Sequence, residues 1–163
     1  SRRYQSFEAE FSTGPDPADT VIIDDFFEDK ALLSYVLNQA DKNDDGCLSV
    51  GEARSVKSLC LDYDVESLAG LEYLENLTTL SCISCDIPTD LDLSFLTRLE
   101  NLEVTWCNLK SVKLPVSLKY LDVSHNKLKS LDLTSFPSLE TVICSQNTYL
   151  NSLLTLKGIK RLE

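Results

Sequence analysis

The 163-residue chain has no methionine, a single tryptophan (Trp106), a single histidine (His125), and only five glycines and five prolines. Without methionine there is no pliable Met-rich groove of the kind that calcium sensors expose to their targets. The lone histidine is accompanied by no G-x-S-x-G, H-E-x-x-H, P-loop or G-x-G-x-x-G run, so no catalytic or nucleotide-binding constellation is recognisable and the chain is not expected to be an enzyme. Basic residues are scarce as well. Fifteen Lys and Arg against 26 Asp and Glu give a net charge of −11, which argues against nucleic acid as a partner. No apolar run reaches the ~18–20 residues needed to span a bilayer. The opening Ser1-Arg2-Arg3-Tyr4 reads as a mature or trimmed end and carries no secretion signal.

What is present is a globular composition, 43% hydrophobic and 25% charged. The charge is uneven: residues 1–52 carry −8, residues 53–106 carry −7 and residues 107–163 carry +4. An acidic front therefore precedes a mildly basic end.

Internal repetition is the dominant pattern. Similar segments start at Val56, Leu77, Leu99, Leu118, Leu139 and Ile159, a period of roughly 20 residues. Each opens with an L-x-x-L-x-apolar core, as in Leu77-Leu80-Cys82, Leu99-Leu102-Val104 and Leu118-Leu121-Val123. Three positions after the third apolar one stands a polar residue or cysteine: Asp64, Cys85, Cys107, Asn126 and Asn147. This is the leucine-rich-repeat pattern. A strand in such a coil points alternate side chains inward, and coils must stack to bury them. A second alternation, at Leu91-Asp92-Leu93, Val112-Lys113-Leu114, Leu131-Asp132-Leu133 and Leu154-Thr155-Leu156, predicts short extended segments on the convex side. The expected fold class is thus an α/β repeat: a leucine-rich-repeat solenoid with short parallel strands on its concave face, few or no convex helices and an N-terminal helical cap. Residues 1–20 read as a flexible lead-in, residues 21–55 as the cap and residues 56–163 as the solenoid of about five and a half repeats.

The cap contains the most specific motif. A helix is predicted from Asp25 or Glu28 to about Ala40, with acids in its first turn, running into Asp-Lys-Asn-Asp-Asp-Gly-Cys-Leu-Ser-Val-Gly-Glu at residues 41–52. Against the twelve-residue EF-hand loop, Asp41, Asn43 and Asp45 occupy positions 1, 3 and 5, and Gly46 occupies position 6. Cys47 offers its carbonyl at position 7, Ser49 stands at position 9, directly or through water, and Glu52 is the bidentate carboxylate at position 12. The expected cofactor is one structural Ca²⁺ that locks the cap onto the solenoid. Residues 53–55 are expected to lead straight into the first strand.

The six cysteines are expected as reduced thiols, four of them explained by repeat positions. Cys85–Cys107 is the best disulfide alternative, and Cys47 and Cys60 are left open. The expected partner-binding residues lie on and beside the concave strands: Asn101, Glu103, Thr105, Trp106, Tyr120, Asp122 and His125. The main reading is a protein-binding module. Its alternative is a carbohydrate surface built on Trp106 and Tyr120, with a plain structural spacer as a third reading. The last coil, with Ile159 and Leu162, needs closure. The expectation is that residues 148–156 fold over it irregularly, leaving a monomer.

The N-terminal helix, the D-x-N-x-D-G-x-L-x-x-x-E loop and the short repeats such as Leu118–Ser138 resemble those of bacterial cell-surface leucine-rich-repeat proteins, internalin-like in outline. That resemblance covers roughly residues 21–163. It implies an exported or surface-tethered protein that binds host or microbial surface proteins without catalysis. The short coil ending at Ser117 and the Thr148-Tyr149-Leu150 step depart from the pattern.

Overall fold

The computed structural model describes residues 21–155 and 159–163; the expected lead-in and Leu156 lie outside them. The predicted cap helix starts later than its periodicity suggests. Asp24–Phe26 forms one 3-10 turn, and helix α1 spans Lys30–Ala40. The reason is Asp29, which sits at the N-cap and accepts the N–H groups of Ala31 and Leu32 at 2.7 and 3.2 Å. An aspartate in that role satisfies the open donors of the first turn, so the helix begins after it rather than around it. The acids that were placed in the first turn precede the helix. Leu32, Val36 and Ala40 form its buried face.

Residues 53–55 do not lead directly into a strand. They belong to helix α2, Val50–Ser55. Ser49 caps it and exchanges hydrogen bonds with Glu52 in a capping box, which starts a helix even in so short a segment.

The solenoid follows as ten short strands: β1 (Ser58–Leu61), β2 (Thr79–Ile83), β3 (Asp90–Asp92), β4 (Asn101–Thr105), β5 (Ser111–Lys113), β6 (Tyr120–Asp122), β7 (Ser130–Leu133), β8 (Thr141–Ile143), β9 (Ser152–Thr155) and β10 (Arg161–Leu162). Among the described residues, β1-β2-β4-β6-β8-β10 form one parallel sheet in chain order. Its pairings, Ser58↔Thr79, Thr79↔Asn101, Asn101↔Tyr120, Tyr120↔Thr141 and Arg161↔Thr141, reproduce the spacing of the repeat starts residue for residue. Leu59, Leu80, Leu102, Leu121 and Val142 thereby stack in one file, each 0% exposed.

The convex side carries two separate pairs, β3 with β5 and β7 with β9, and no long helix among the described residues. Their registers are Asp90↔Ser111 and Ser130↔Ser152. The break between the pairs falls at the short coil that ends at Ser117, which has too few residues to bring β5 and β7 level. The 148–156 segment is not the expected irregular cover: Ser152–Thr155 is β9 and continues the convex ladder. Leu162, next in the buried file, is 51% exposed.

Of the contacts that join cap to solenoid, those of Asp29 and Phe27 reach farthest into the first coil's backbone. The second oxygen of Asp29 accepts the N–H groups of Glu66 and Ser67 at 2.6 and 3.0 Å. Phe27 lies over Gly70, where a Cβ would come 2.5 Å from its ring and where φ is +107°, so both space and backbone conformation call for glycine.

Burial opposes ionisation of Asp29, yet the four backbone donors outweigh it and hold its carboxyl below the usual 3.8. A carboxylate favoured in the folded state contributes stability above its unfolded pKa, and that contribution fades as pH falls through the lower folded value. Asp29→Ala should therefore lower the unfolding free energy by about 2–3 kcal/mol at neutral pH, from the lost cap and two orphaned amides. The gap between variant and parent should narrow below about pH 4. Urea denaturation at pH 7 and pH 3.5 checks both.

Candidate functional site

The concave sheet presents three outward rows. The first runs Ser58, Thr79, Asn101, Tyr120, Thr141 and Arg161, and the second Cys60, Ser81, Glu103, Asp122 and Ile143. The third holds Ile83 and Thr105. Asn101, Glu103, Tyr120 and Asp122 are half-buried, open to solvent on one side. Thr105 is a correction to the expected partner face, because only 6% of it is exposed. Concave curvature crowds neighbouring outward side chains, and a short threonine flanked by Ile83 is covered. Ser81 is similarly buried and donates its hydroxyl to Glu103 at 2.9 Å.

Beyond the strand ends stands a column of left-handed residues: Ser84 (φ 58°), Trp106 (61°), His125 (55°) and Gln146 (57°). Such a conformation costs a non-glycine residue about 1–2 kcal/mol. Its recurrence in four successive coils, whatever the side chain, makes it a property of the coil turn rather than a mark of function. The column does bring Trp106 and His125 into register. Their rings stack with centroids 3.9 Å apart and planes 11° from parallel, and Trp106 remains 58% exposed.

A groove of about 550 Å³ opens where α1 flanks the sheet, lined by Tyr35, Cys60, Leu61, Asp62, Thr79, Ser81, Ile83 and Glu103. Sequence reasoning gave Tyr35 no role. It lies just beside the apolar stripe of α1, and only the docking of the helix on the sheet brings it to this wall.

The 41–52 loop has the turns that its sequence implies. Gly46 takes φ +76° and donates its N–H to Asp41 Oδ2 at 3.0 Å. Asn43 accepts from Asp45 N–H at 3.0 Å, and Asp45 accepts from Cys47 N–H at 2.8 Å. Leu48 is fully buried, and its flanks pair with an extended segment of the chain: Ile23 N–H donates to the Leu48 carbonyl and Val50 N–H to the Val21 carbonyl, both at 2.9 Å. Glu52 Oε2 accepts from Ser49 N–H and Oγ–H, and Oε1 from Lys42 N–H. Burial works against the Glu52 carboxylate, but these donors hold its pKa below the ordinary value. Burial and the surrounding Asp45, Asp24, Asp41 and Glu52 push the Cys47 thiol up. Asp41 Oδ1 is buried and has no hydrogen-bond partner. Among the described residues no three His, Cys, Asp or Glu side chains form a metal cluster. The residue types and backbone fit a calcium loop, while Glu52 is held on backbone and serine donors.

The Asn/Cys position of the repeat shows why those residues stand there. Asn126 accepts the N–H groups of Cys107 and Leu109 and donates to the carbonyls of Val104, Val123 and Ser124. Asn147 repeats this with Leu128, Val123 and Cys144. At the same position Cys85 Sγ donates to the Asp62 carbonyl at 3.2 Å, and Cys107 Sγ to that of Thr105 at 3.2 Å. All six cysteines are free. For Cys85, contact with the Cys107 thiol is outweighed by the Cys82 thiol and burial, and its pKa is pushed up to about 12. The Cys85 contact and burial raise that of Cys107 further.

This geometry is that of a leucine-rich-repeat solenoid with a helical N-terminal cap. The family described as the Endo-beta-N-acetylglucosaminidase EndoS leucine-rich-repeat domain matches residues 27–147, and the chain belongs to that family. No curated protein matches the sequence. Among solved structures, the chain is similar to an internalin (inlF) from Listeria monocytogenes, with TM-score 0.64 and 20% identity over 82% of this chain and 44% of that one. It is similar to the functional domain of InlJ from Listeria monocytogenes, which includes a cysteine ladder, with TM-score 0.55 and 24% identity over 82% and 37%. It also resembles the secreted internalin-like protein Lmo2445 from Listeria monocytogenes, with TM-score 0.56 and 16% identity over 88% and 65%. The chain thus spans less than two thirds of each of these proteins, and the likeness is one of fold.

Thiol chemistry should follow burial, since the thiolate is the reactive form. In a native titration with an aromatic disulfide reagent, Cys60, the one exposed cysteine, should react first and Cys47 more slowly. Cys82, Cys85, Cys107 and Cys144 should react only after denaturation. Prompt release of more than two equivalents from the folded protein would contradict the buried placement.

Proposed function

We propose that the chain is a non-catalytic protein-binding module that engages its partner across the concave face. The observation that carries this reading is the open parallel sheet itself: Asn101, Glu103, Tyr120 and Asp122 are held in register on rigid strands, beside the exposed Trp106. A rigid array with a protruding aromatic anchor suits protein recognition, because little side-chain freedom is lost on binding. By its resemblance to internalin-like proteins, the partner belongs to a host or microbial surface, and the module is exported or tethered to the cell surface. The carbohydrate alternative gains less support. Tyr120 starts its strand whereas Trp106 follows the end of its own, about 16 Å further along the strand direction, and His125 covers one face of the indole. The two rings therefore do not make one sugar platform.

The test is capture from host and bacterial surface proteins. Binding should fall at least tenfold with Tyr120→Ala or Trp106→Ala and be unchanged with Lys113→Ala on the convex side. Equal losses with the convex variant would overturn the reading.

For the 41–52 loop we propose a structural Ca²⁺ held by Asp41, Asn43, Asp45, the Cys47 carbonyl, Ser49 and Glu52. The unpartnered, buried Asp41 Oδ1 and the left-handed Gly46 support it. Bound calcium would supply positive charge among the acids and tie α1 to α2. At a hundredfold excess over its dissociation constant, calcium should add roughly 2.7 kcal/mol, a rise in melting temperature of about 5–10 °C. Asp41→Asn and Glu52→Gln should abolish the rise. Identical melting with calcium and with chelator would reject the proposal.

A further inference from the structure

The charge of the concave face is predominantly negative. Asp62, Glu103 and Asp122 stand on or beside its outward rows. Among the described residues the face has a single base, Arg161, whose guanidinium is engaged by Glu163 at 2.7 Å. The other ion pairs among the described residues lie off these rows: Arg54–Glu75, Lys113–Asp92, Lys119–Glu100 and Lys160–Glu140. Glu103 and Asp122 are directly opposite each other in the β4–β6 register. Like charges at opposed positions weaken a sheet, and this pair is met by the Ser81 hydroxyl on Glu103 and the Ser124 N–H on Asp122 rather than by a cation. The groove beneath α1 adds shape to the charge. Asp62, Glu103 and the exposed Ile83 line it, Tyr35 stands on the cap side, and Leu61 lies buried beneath. Among the described residues Asp62 Oδ1 accepts the N–H of Tyr63 and Glu103 Oε2 the Ser81 hydroxyl, and the second oxygen of each makes no hydrogen bond.

We propose that this groove seats a lysine or arginine side chain of the protein partner, its aliphatic stem between Ile83 and the Tyr35 ring and its cationic head between Asp62 and Glu103. The inference rests on the concave-face reading and names the chemistry of the partner. Long basic side chains combine an apolar stem with a charged head in this way. Opposite charge fixes where they dock, and the net charge of −11 steers basic surfaces toward the molecule. A divalent ion fits less well, because the described carboxylates form no metal cluster. Carboxylate-driven elevation of the Tyr35 pKa, after the larger effect of burial, agrees with the negative field here.

The test uses a fluorescein-labelled twelve-residue peptide of alternating Arg and Gly, read by anisotropy against the folded chain, with a Gln-for-Arg peptide as reference. Glu103→Gln and Asp62→Asn should each weaken binding of the Arg peptide at least fivefold, and the double variant at least twentyfold. Asp132→Asn on the convex side, the same change in net charge, should leave binding within twofold. Equal weakening by Asp132→Asn would show diffuse attraction and overturn the proposal, as would free arginine or spermidine competing at the peptide's own concentration. With a captured partner, loss on Trp106→Ala but not on Glu103→Gln or Asp62→Asn would refute the groove and leave the concave-face reading standing. Insensitivity to every concave variant would remove that reading itself.

Discussion

Leu59, Leu80, Leu102, Leu121 and Val142 form one continuous file through the sheet, each sealed from water by its neighbours: strands on both sides for the last four, and β2 and the cap helix α1 for Leu59. No single coil supplies enough apolar area to stay closed, so burial is shared with the next coil and the parallel register must be kept throughout. Burying one such leucine is worth about 1.5–3 kcal/mol, and only while its neighbours remain in place.

The cap answers that demand at the N-terminal end. Its apolar side chains join the core of the coils, and backbone hydrogen bonds and close fit fix the junction. Asp29 joins the start of α1 to the amides of Glu66 and Ser67, and Phe27 reaches the core over a position that only glycine leaves open. The antiparallel bridge between Ile22 and Ser49 lays an extended segment of the chain against the end of the loop. The 41–52 loop is thereby braced from within the chain. The same docking of α1 that covers the first coil also makes the groove wall with Tyr35, so closure of the core and shaping of the candidate interaction surface are one event.

Between the ends, the turns repeat a single solution to a polar problem. Asn126 and Asn147 satisfy buried amides and carbonyls that the turning backbone leaves open. Where cysteine replaces asparagine, at Cys85 and Cys107, a thiol makes weaker bonds to carbonyls and fills the space as a small apolar group. Left-handed residues just ahead of each of these positions turn the chain out of the strand. That is why a tryptophan and a histidine in successive coils meet face to face.

The solenoid was legible in the linear pattern. The spacing from Val56 through Leu77, Leu99, Leu118 and Leu139 to Ile159 is the sheet register, because a period-2 strand can present its leucines inward in only one alignment with its neighbours. The identity of the turn residues and of the loop glycine was legible for the same local reason. Other features depend on contacts that the repeat pattern does not carry. The start of α1 was fixed by Asp29, whose second oxygen is occupied by a distant coil, and α2 by a capping box too short to show a helical period. The burial of Thr105 came from curvature, which no linear pattern encodes. The groove between Tyr35, Asp62 and Glu103 joins residues far apart in sequence, and it exists only because a helix preceding the repeats lies against their open face.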